Sequence, residues 1–209
     1  MKGMRGAFGR PPSRRGEPVY LSRVTRSQRV NYVLYQSGWF ACILGAAWDW
    51  PVTGFLIAVA LTAVHLYLSD ERARETRAIL LALALGLVVE GYQVWNGTYR
   101  FRSGVVVAWM SPPWLLMMWA QFATTFRSSL RSIMTVPARA ALFGLVGGPI
   151  AFVAGERLGA VTLARPLAPG LVRLGVTWGV ALAVCAVLLR DPVVPGAGRA
   201  GGRAAGLTP

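Results

Sequence analysis

A single carboxylic acid, Glu90, stands within the apolar stretch LGLVVEGYQVW of residues 85–95. An ionisable side chain in such a stretch can handle a proton, bind a ligand, or fix helix packing as a protonated or paired acid. Three small or polar residues share its face at helical spacing: Gly86, Gln93 and Gly97. Because this face is small and polar, we expect it to point into the protein. Arg100 and Arg102 in the following loop are the candidate counter-charges.

A second set of polar side chains lies where several apolar stretches end, at similar expected depth. Its candidate ligand-binding members are Asn31, Gln36, His65, Gln121, Thr125, Arg127, Ser128 and Arg131. In QFATTFRSSLRS, residues 121–132, four of the polar residues follow helical spacing and would form one stripe: Gln121, Thr125, Ser128 and Ser132. Hydroxyls beside guanidinium groups suit a phosphate or carboxylate headgroup. The alternative is an ordinary helix end that carries topological arginines.

His65 is the only histidine, and this excludes multi-histidine iron sites and bis-histidine haem. Helix rise places His65 and Glu90 roughly 10 Å or more apart in depth, so a direct catalytic pair is disfavoured. A lone histidine in an apolar stretch is also a common hydrogen-bonded packing group. We find no P-loop, no paired carboxylates at metal spacing and no Gly-x-Ser-x-Gly elbow. We therefore expect no metal and no cofactor.

The elements that must position these residues are predicted to be membrane-spanning helices. Of the 209 residues 55% are hydrophobic and 14% are charged, against about 25% charged in soluble domains. The apolar residues form six blocks of roughly the length that crosses a bilayer, at residues 30–48, 51–69, 77–96, 104–126, 138–155 and 170–189. The predicted fold class is all-α, a polytopic transmembrane helical bundle of six spans. Residues 1–29 are predicted to be a basic disordered tail, residues 30–190 the transmembrane domain, and residues 191–209 a disordered Gly/Ala/Pro tail.

The distribution of charge predicts the orientation of the bundle. With both termini inside, 17 of the 22 basic residues lie in inner segments, as the positive-inside rule requires. This bias explains the net charge of +14 better than a nucleic-acid partner does, because the arginines lie in tails and loops. Four aromatic residues are expected at headgroup depth beside the outer turns: Trp48, Trp50, Trp95 and Tyr99.

Two blocks contain residues that constrain helix geometry. Pro112 and Pro113 interrupt the fourth block, which therefore either kinks sharply or begins as a helix near Pro113 and continues through FATTFRSSLRS. In the fifth block, Gly144 and Gly148 have small-xxx-small spacing, which allows two helix backbones to approach closely. The two cysteines, Cys42 and Cys185, are expected to be small core residues.

Five separated segments carry a resemblance to a known family: NYVLYQSGWFACILGAA, HLYLSDERARE, the acid in the third block, FATTFRSSLRS and GGPIAFVAGERLGAV. Together they resemble a family of uncharacterised bacterial inner-membrane proteins, a domain of unknown function, over roughly residues 30–190. The resemblance implies a small six-span protein, and it implies a connection with lipids through association with fatty-acid-modifying enzymes. The polar and helix-constraining residues of interest within these segments are Asn31, Gln36, His65, Glu90, Thr125, Ser128, Gly148 and Pro149. The family supplies no catalytic residues to transfer.

We therefore expect a multi-pass protein of the bacterial inner membrane that binds or handles a lipid or amphipathic small molecule through an interior polar pocket. Membrane lipids are the expected partners, and a partner membrane protein is a second candidate. One alternative is a small proton-coupled transporter that uses Glu90. Another is a lipid-modifying enzyme, or its accessory subunit, that uses His65 or Glu90 as acid or base.

Overall fold

A computed structural model describes residues 19–190 of the chain, with side chains from residue 28 onward. The described chain is mostly helical. Its elements, in order, are α1 (Val19–Ala47), α2 (Pro51–Leu68), α3 (Arg72–Trp95), β1 (Tyr99–Phe101), α4 (Pro113–Ala123), α5 (Arg131–Met134), α6 (Pro137–Arg157), β2 (Val161–Leu163) and α7 (Leu167–Leu188). Of the predicted tails, residues 1–29 and 191–209, residues 1–18 and 191–209 lie outside the described residues, and the domain bounds stay predictions. Helix α1 begins at Val19, eleven residues before the predicted start of the first block, and so includes part of the basic segment.

Within the described residues, four helices are long and apolar enough to cross a membrane: α2, α3, α6 and α7. They correspond to four of the six predicted blocks, with similar bounds. Proline at the first position of α2 and α6 costs no hydrogen bond, because that N–H has no partner inside a helix. Large apolar side chains such as Val88, Ile150 and Val172 are more than half exposed on the outer faces of these helices. Continuous exposed apolar surface of this kind is typical of contact with lipid.

The helices form a bundle with two distinct ends. At one, which we call the strand end, β1 and β2 form a short antiparallel pair with Tyr99 opposite Leu163. Arg102, which follows β1, binds Asp49 in the turn between α1 and α2. The other end, which we call the arginine end, holds the start of α3, the end of α7 and four arginines: Arg74, Arg127, Arg131 and Arg190. The two strands were not predicted, because three apolar-polar residues beside a turn carry too weak a signal.

Close contact between α6 and α7 confirms the role predicted for the glycines of the fifth block. A Cβ on Gly144 would lie 2.5 Å from the carbonyl oxygen of Trp178, and one on Gly148 would lie 2.7 Å from the Trp178 ring. Gly175 on α7 faces the backbone of α6 in the same way, 2.6 Å from the Leu145 oxygen. The absence of side chains at these positions lets the two backbones pack against each other.

The fourth block is not one long helix, and its polar stripe does not form. Helix α4 begins at Pro113 and has 11 residues, about 16 Å of helix, which is roughly half of a hydrocarbon core. Residues 104–112 precede it without regular helix, and turns follow Ala123. The helix lies in the interior, against α1, α2 and α3. Because the helix stops at Ala123, Thr125, Ser128 and Ser132 do not share one helical face, and Ser132 is exposed.

Candidate functional site

Glu90 is fully enclosed in the bundle, with none of its surface exposed. The hydroxyl of Tyr99 donates a hydrogen bond to Oε2 of Glu90. The indole N–H of Trp119 donates a second bond to Oε1 at 2.9 Å. The prediction that Glu90 points inward is therefore confirmed. Gly86 lies on the same face of α3 as Glu90. The Trp119 ring occupies the space that a side chain on Gly86 would need.

The prediction that Arg100 and Arg102 supply the counter-charges of Glu90 is wrong. Arg102 binds Asp49 at 3.0 Å, and Arg100 is exposed. Side chains alternate along a strand, so β1 turns Tyr99 inward and Arg100 outward. Tyr99 is consequently 3% exposed rather than at headgroup depth, whereas the other three predicted interface aromatics, Trp48, Trp50 and Trp95, are exposed.

Gln93, one helical turn from Glu90, is also hydrogen-bonded, whereas Nε1 of the nearby Trp178 has no hydrogen-bond partner within the described residues. Gln93 donates to the Thr177 hydroxyl at 2.8 Å and accepts from the Thr98 hydroxyl at 2.7 Å. The Trp119 ring packs on Trp178, with centroids 4.4 Å apart. Buried polar groups that have hydrogen-bond partners rigidify a core. These contacts make the surroundings of Glu90 a packing centre between α3, α4 and α7.

A polar cleft of about 470 Å³ lies toward the arginine end, and we call it the histidine cleft. Asn31, His65, Glu75 and Ser128 line its inner part, and Ser69, Asp70, Glu71 and Arg127 line its rim. Glu75 and Glu90 are about 22 Å apart along α3 at 1.5 Å per residue. The histidine cleft and the Glu90 centre are therefore separate, as the depth argument for His65 and Glu90 predicted.

The hydrogen bonds of Asn31 fix the orientation of its amide beside His65. The Asn31 amide nitrogen donates to the carbonyl oxygen of Thr124 at 3.0 Å, while its oxygen accepts from the Ser128 hydroxyl at 2.5 Å. A carbonyl only accepts, so the amide orientation is fixed. The same nitrogen lies 3.2 Å from His65 Nδ1, which must then accept. Nδ1 of His65 therefore faces Asn31, and Nε2 faces Glu75.

Glu75 is the residue of this cleft that sequence reasoning missed. Its carboxylate oxygen Oε2 lies 3.4 Å from His65 Nε2. Both atoms are buried and neither forms a hydrogen bond of good geometry within the described structure. In the sequence, Glu75 belongs to the charged run SDERARETR and resembles a solvated helix start. Only the antiparallel turn from α2 to α3 brings it beside His65.

A second cleft, of about 490 Å³, holds two of the predicted arginines, and we call it the arginine cleft. Its charged lining residues are four arginines and one acid: Arg74, Arg127, Arg131, Arg190 and Glu71. Its remaining surface is formed mainly by apolar side chains of Phe126, Met134, Ala186 and Leu189. Glu71 bonds to both Arg74 and Arg127 at 2.9 Å, and it forms part of the wall shared with the histidine cleft.

The remaining predicted site residues do not reach either cleft. Gln121 is buried deeper, where its amide donates to the Ala58 oxygen at 2.7 Å and to the Thr62 hydroxyl at 3.1 Å. Thr125 is buried and donates to the Phe122 oxygen at 2.6 Å. Gln36 is half-buried on α1 and is not part of either lining. The structure thus brings together Asn31, His65, Arg127 and Ser128 in one cleft, and Arg127 with Arg131 in the other.

An apolar cavity of about 120 Å³ lies between α1, α4, α6 and α7. Aromatic rings form much of its wall, including Trp39, Trp119, Phe152 and Trp178. Within residues 28–190, no group of three or more His, Cys, Asp or Glu side chains is arranged to hold a metal ion. Cys42 and Cys185 are buried and free, as expected of core residues.

The fold and its exposed apolar helices define a class, the helical proteins compatible with multiple passes through a membrane. Within this class the chain matches the model of one family over residues 28–184, the DUF2878 family, which is described as a protein of unknown function. The chain belongs to the DUF2878 family. Comparison with curated proteins gives no significant match. Comparison with solved structures gives none either.

Proposed function

We propose that this protein binds an anionic amphipathic molecule without transforming it, and that the arginine cleft takes the phosphate or carboxylate headgroup. The observation that carries the proposal is the convergence of four arginines on one cleft with apolar walls. Guanidinium groups bind such oxygens through paired N–H donors. Among the described residues that line the cleft, one acid, Glu71, lies beside the four arginines.

The proposed setting is the bacterial inner membrane, with six crossings and both termini in the cytoplasm. Helix α1 and the segment of residues 104–130 would supply the two crossings beyond the four apolar helices. The clustering of arginines at one end of the bundle supports this orientation, because basic residues collect on the cytoplasmic side. The arginine cleft would then lie at the depth of the inner-leaflet headgroups.

The contacts of Glu90 favour a structural role over proton-coupled transport. A carrier acid needs access to water or substrate, but Glu90 has no exposed surface and accepts two hydrogen bonds. An acid-base role for His65 receives less support than binding, because its neighbours include no nucleophile activated by it. Its Nδ1 accepts from Asn31, and its Nε2 faces Glu75.

The test measures lipid retention by the full-length protein. Native mass spectrometry in detergent would compare dioleoyl phosphatidylglycerol with a neutral diacylglycerol of the same chains. We expect the Arg131→Gln/Arg190→Gln variant to lose at least ten-fold in phosphatidylglycerol affinity, because two of the four positive charges are removed. The matched control is Arg100→Gln/Arg157→Gln, which removes two exposed arginines from the strand end.

A soluble anion is the other possible source of the same headgroup chemistry. Inorganic phosphate at millimolar concentration serves as the competitor. Displacement of the lipid by phosphate would assign the cleft to small anions, and failure to displace it would assign the cleft to the lipid. Equal phosphatidylglycerol binding by the wild type and the Arg131/Arg190 variant would overturn the proposal.

A further inference from the structure

We infer that the apolar cavity between α1 and α6 is a lateral binding site for one acyl chain of a membrane lipid. The site rests on the membrane setting proposed above, but it does not depend on the arginine cleft. We call this space of about 120 Å³ the α1–α6 fissure.

The fissure exists because α1 and α6 pack along other helices and not along each other. Helix α1 packs along α2, helix α6 packs along α7, and the interior helix α4 forms the floor between them. The two walls approach each other toward the strand end, where a Cβ on Gly155 would lie 3.6 Å from Cδ1 of Ile43. Nearer the arginine end, a Cβ on Gly147 would meet only Phe143 of its own helix. No neighbouring helix fills the space beside Gly147, so the fissure opens sideways there.

The lining of the fissure is apolar, and none of the described residues that form it is charged. It combines aromatic rings, such as Trp39, Phe122 and Trp178, with small residues of α6, such as Gly147 and Ala151. An apolar cavity of similar size, about 150 Å³, stays dry and binds an apolar guest. At the depth of membrane-spanning helices the surrounding medium is hydrocarbon. A lipid acyl chain is therefore the guest that this lining can take up from its surroundings.

The length of the lining matches one chain from one leaflet. The lining residues run from Tyr35 to Ile43 on α1, about 12 Å, and from Phe143 to Gly155 on α6, about 18 Å. One leaflet of hydrocarbon is about 15 Å deep, half of a core of about 30 Å. A chain from the leaflet at the arginine end would enter with its terminal methyl group toward the strand end, where Val161 of β2 lines the fissure.

Helix α4 provides a reporter that lipid around the bundle does not reach. Met118 belongs to this interior helix, yet it is partly exposed and lines the fissure. Lipid on the outer faces contacts residues such as Val88 and Ile150, which are more than half exposed. Contact between an acyl chain and Met118 therefore requires the chain to lie inside the fissure.

The experiment places the full-length protein in nanodiscs of dioleoyl phosphatidylcholine that contain a phosphatidylcholine with a diazirine on one acyl chain. Light makes the diazirine insert into adjacent bonds, and peptide mass spectrometry locates the labelled residues. We expect label on Met118 in the wild type. Gly147→Phe fills the fissure and should lower the Met118 label at least ten-fold. The matched control Val146→Phe adds the same ring on the outer face of α6, where Val146 is half exposed, and should leave the label unchanged.

A second variant covers the case in which Gly147→Phe fails to fold, which thermal unfolding would reveal. Ala151→Leu narrows the fissure one helical turn further along α6 and should lower the Met118 label as well. Label confined to the outer faces of the wild type, or equal Met118 label in the wild type and both filled variants, overturns the inference. A missing Met118 label together with a dimer mass in native mass spectrometry would overturn it in favour of a second copy of the chain in the fissure.

The same samples separate this site from the proposed function. Arg131→Gln/Arg190→Gln should leave the Met118 label unchanged while it lowers phosphatidylglycerol binding, so failure of the arginine cleft and failure of the fissure are different results. A protein that does not incorporate into nanodiscs would instead contradict the membrane setting itself.

Discussion

The hydroxyl of Tyr99 on β1 donates a hydrogen bond to the carboxylate of Glu90 on α3. The Tyr99 ring also stacks on Phe152 of α6, with centroids 4.7 Å apart. One side chain therefore joins the short strand pair to two helices. This relationship explains how an acid is kept inside an apolar bundle without an arginine partner.

Replacing Tyr99 by phenylalanine should destabilise the protein while keeping its packing. The substitution removes one of the two donors to Glu90, and a buried acceptor that loses its partner costs about 1–3 kcal/mol. The measurement is the unfolding temperature in detergent. Tyr92→Phe is the matched control, since Tyr92 is half exposed on α3, the helix that carries Glu90. An equal unfolding temperature for the two variants would show that the Tyr99 bond contributes little.

Gly144→Ala should weaken the contact between α6 and α7. The new methyl group would lie 2.5 Å from the Trp178 oxygen, and overpacking of this kind typically costs about 1–3 kcal/mol. Gly147→Ala, three residues along the same helix, meets only Phe143 at 3.8 Å and should be tolerated. Thermal unfolding of both variants gives the comparison. If Gly147→Ala is the more damaging of the two, the close approach of the helices is not what the glycines provide.

Asp49 should make stability depend on pH at the acidic end of the range. The hydrogen bond from Arg102 lowers the pKa of the Asp49 carboxyl below its ordinary value of 3.8. A group whose pKa is lowered by folding stabilises the protein above its unfolded pKa, and this contribution is lost as pH falls through the folded pKa. The difference in unfolding temperature between wild type and Asp49→Asn should therefore shrink below about pH 4. Because Asp49 is at the surface, the effect is small.

The same pair allows an internal check on the pH effect. In an Arg102→Gln background, Asp49→Asn should no longer change the acid dependence, because the interaction is already absent. A pH effect of Asp49→Asn that persists in that background would assign the dependence to another partner.

Cysteine labelling should place the two ends of the bundle on opposite sides of the membrane. Both native cysteines are buried, so an impermeant maleimide reports on introduced residues. Arg100→Cys at the strand end and Ser132→Cys at the arginine end are both exposed positions. We expect Arg100→Cys to react in intact cells and Ser132→Cys to react only after permeabilisation. The reverse pattern would invert the proposed orientation, and reaction of both in intact cells would contradict a bundle that spans the membrane.

Local sequence was sufficient where a property depends on consecutive residues. Blocks 51–69 and 170–189 predicted α2 and α7 closely, because apolar length and helix-stopping residues are local features. Small-residue spacing likewise predicted the face on which α6 meets α7. The inward direction of Glu90 followed from the cost of exposing an acid to lipid.

Prediction failed where the partner of a residue lies far along the chain or beyond a turn. The helix in the fourth block was expected to continue through residues 121–132, yet it stops at Ala123, where Asn31 of α1 binds the Thr124 oxygen. Arginines were expected beside Glu90 because charge complementarity is the simplest assumption. The alternation of β1 placed a tyrosine there instead.

The sequence by itself determined that this is a bundle of apolar helices with an acid in its interior and basic residues collected at one end, because hydrophobic length and charge distribution are properties of segments. The tertiary structure alone decided that the arginines converge on one cleft and that Glu75 meets His65 in another. Those contacts join α2 to α3 and the α4–α5 turns to the end of α7. Pairing of this kind depends on how helices pack around one another, which no single segment encodes.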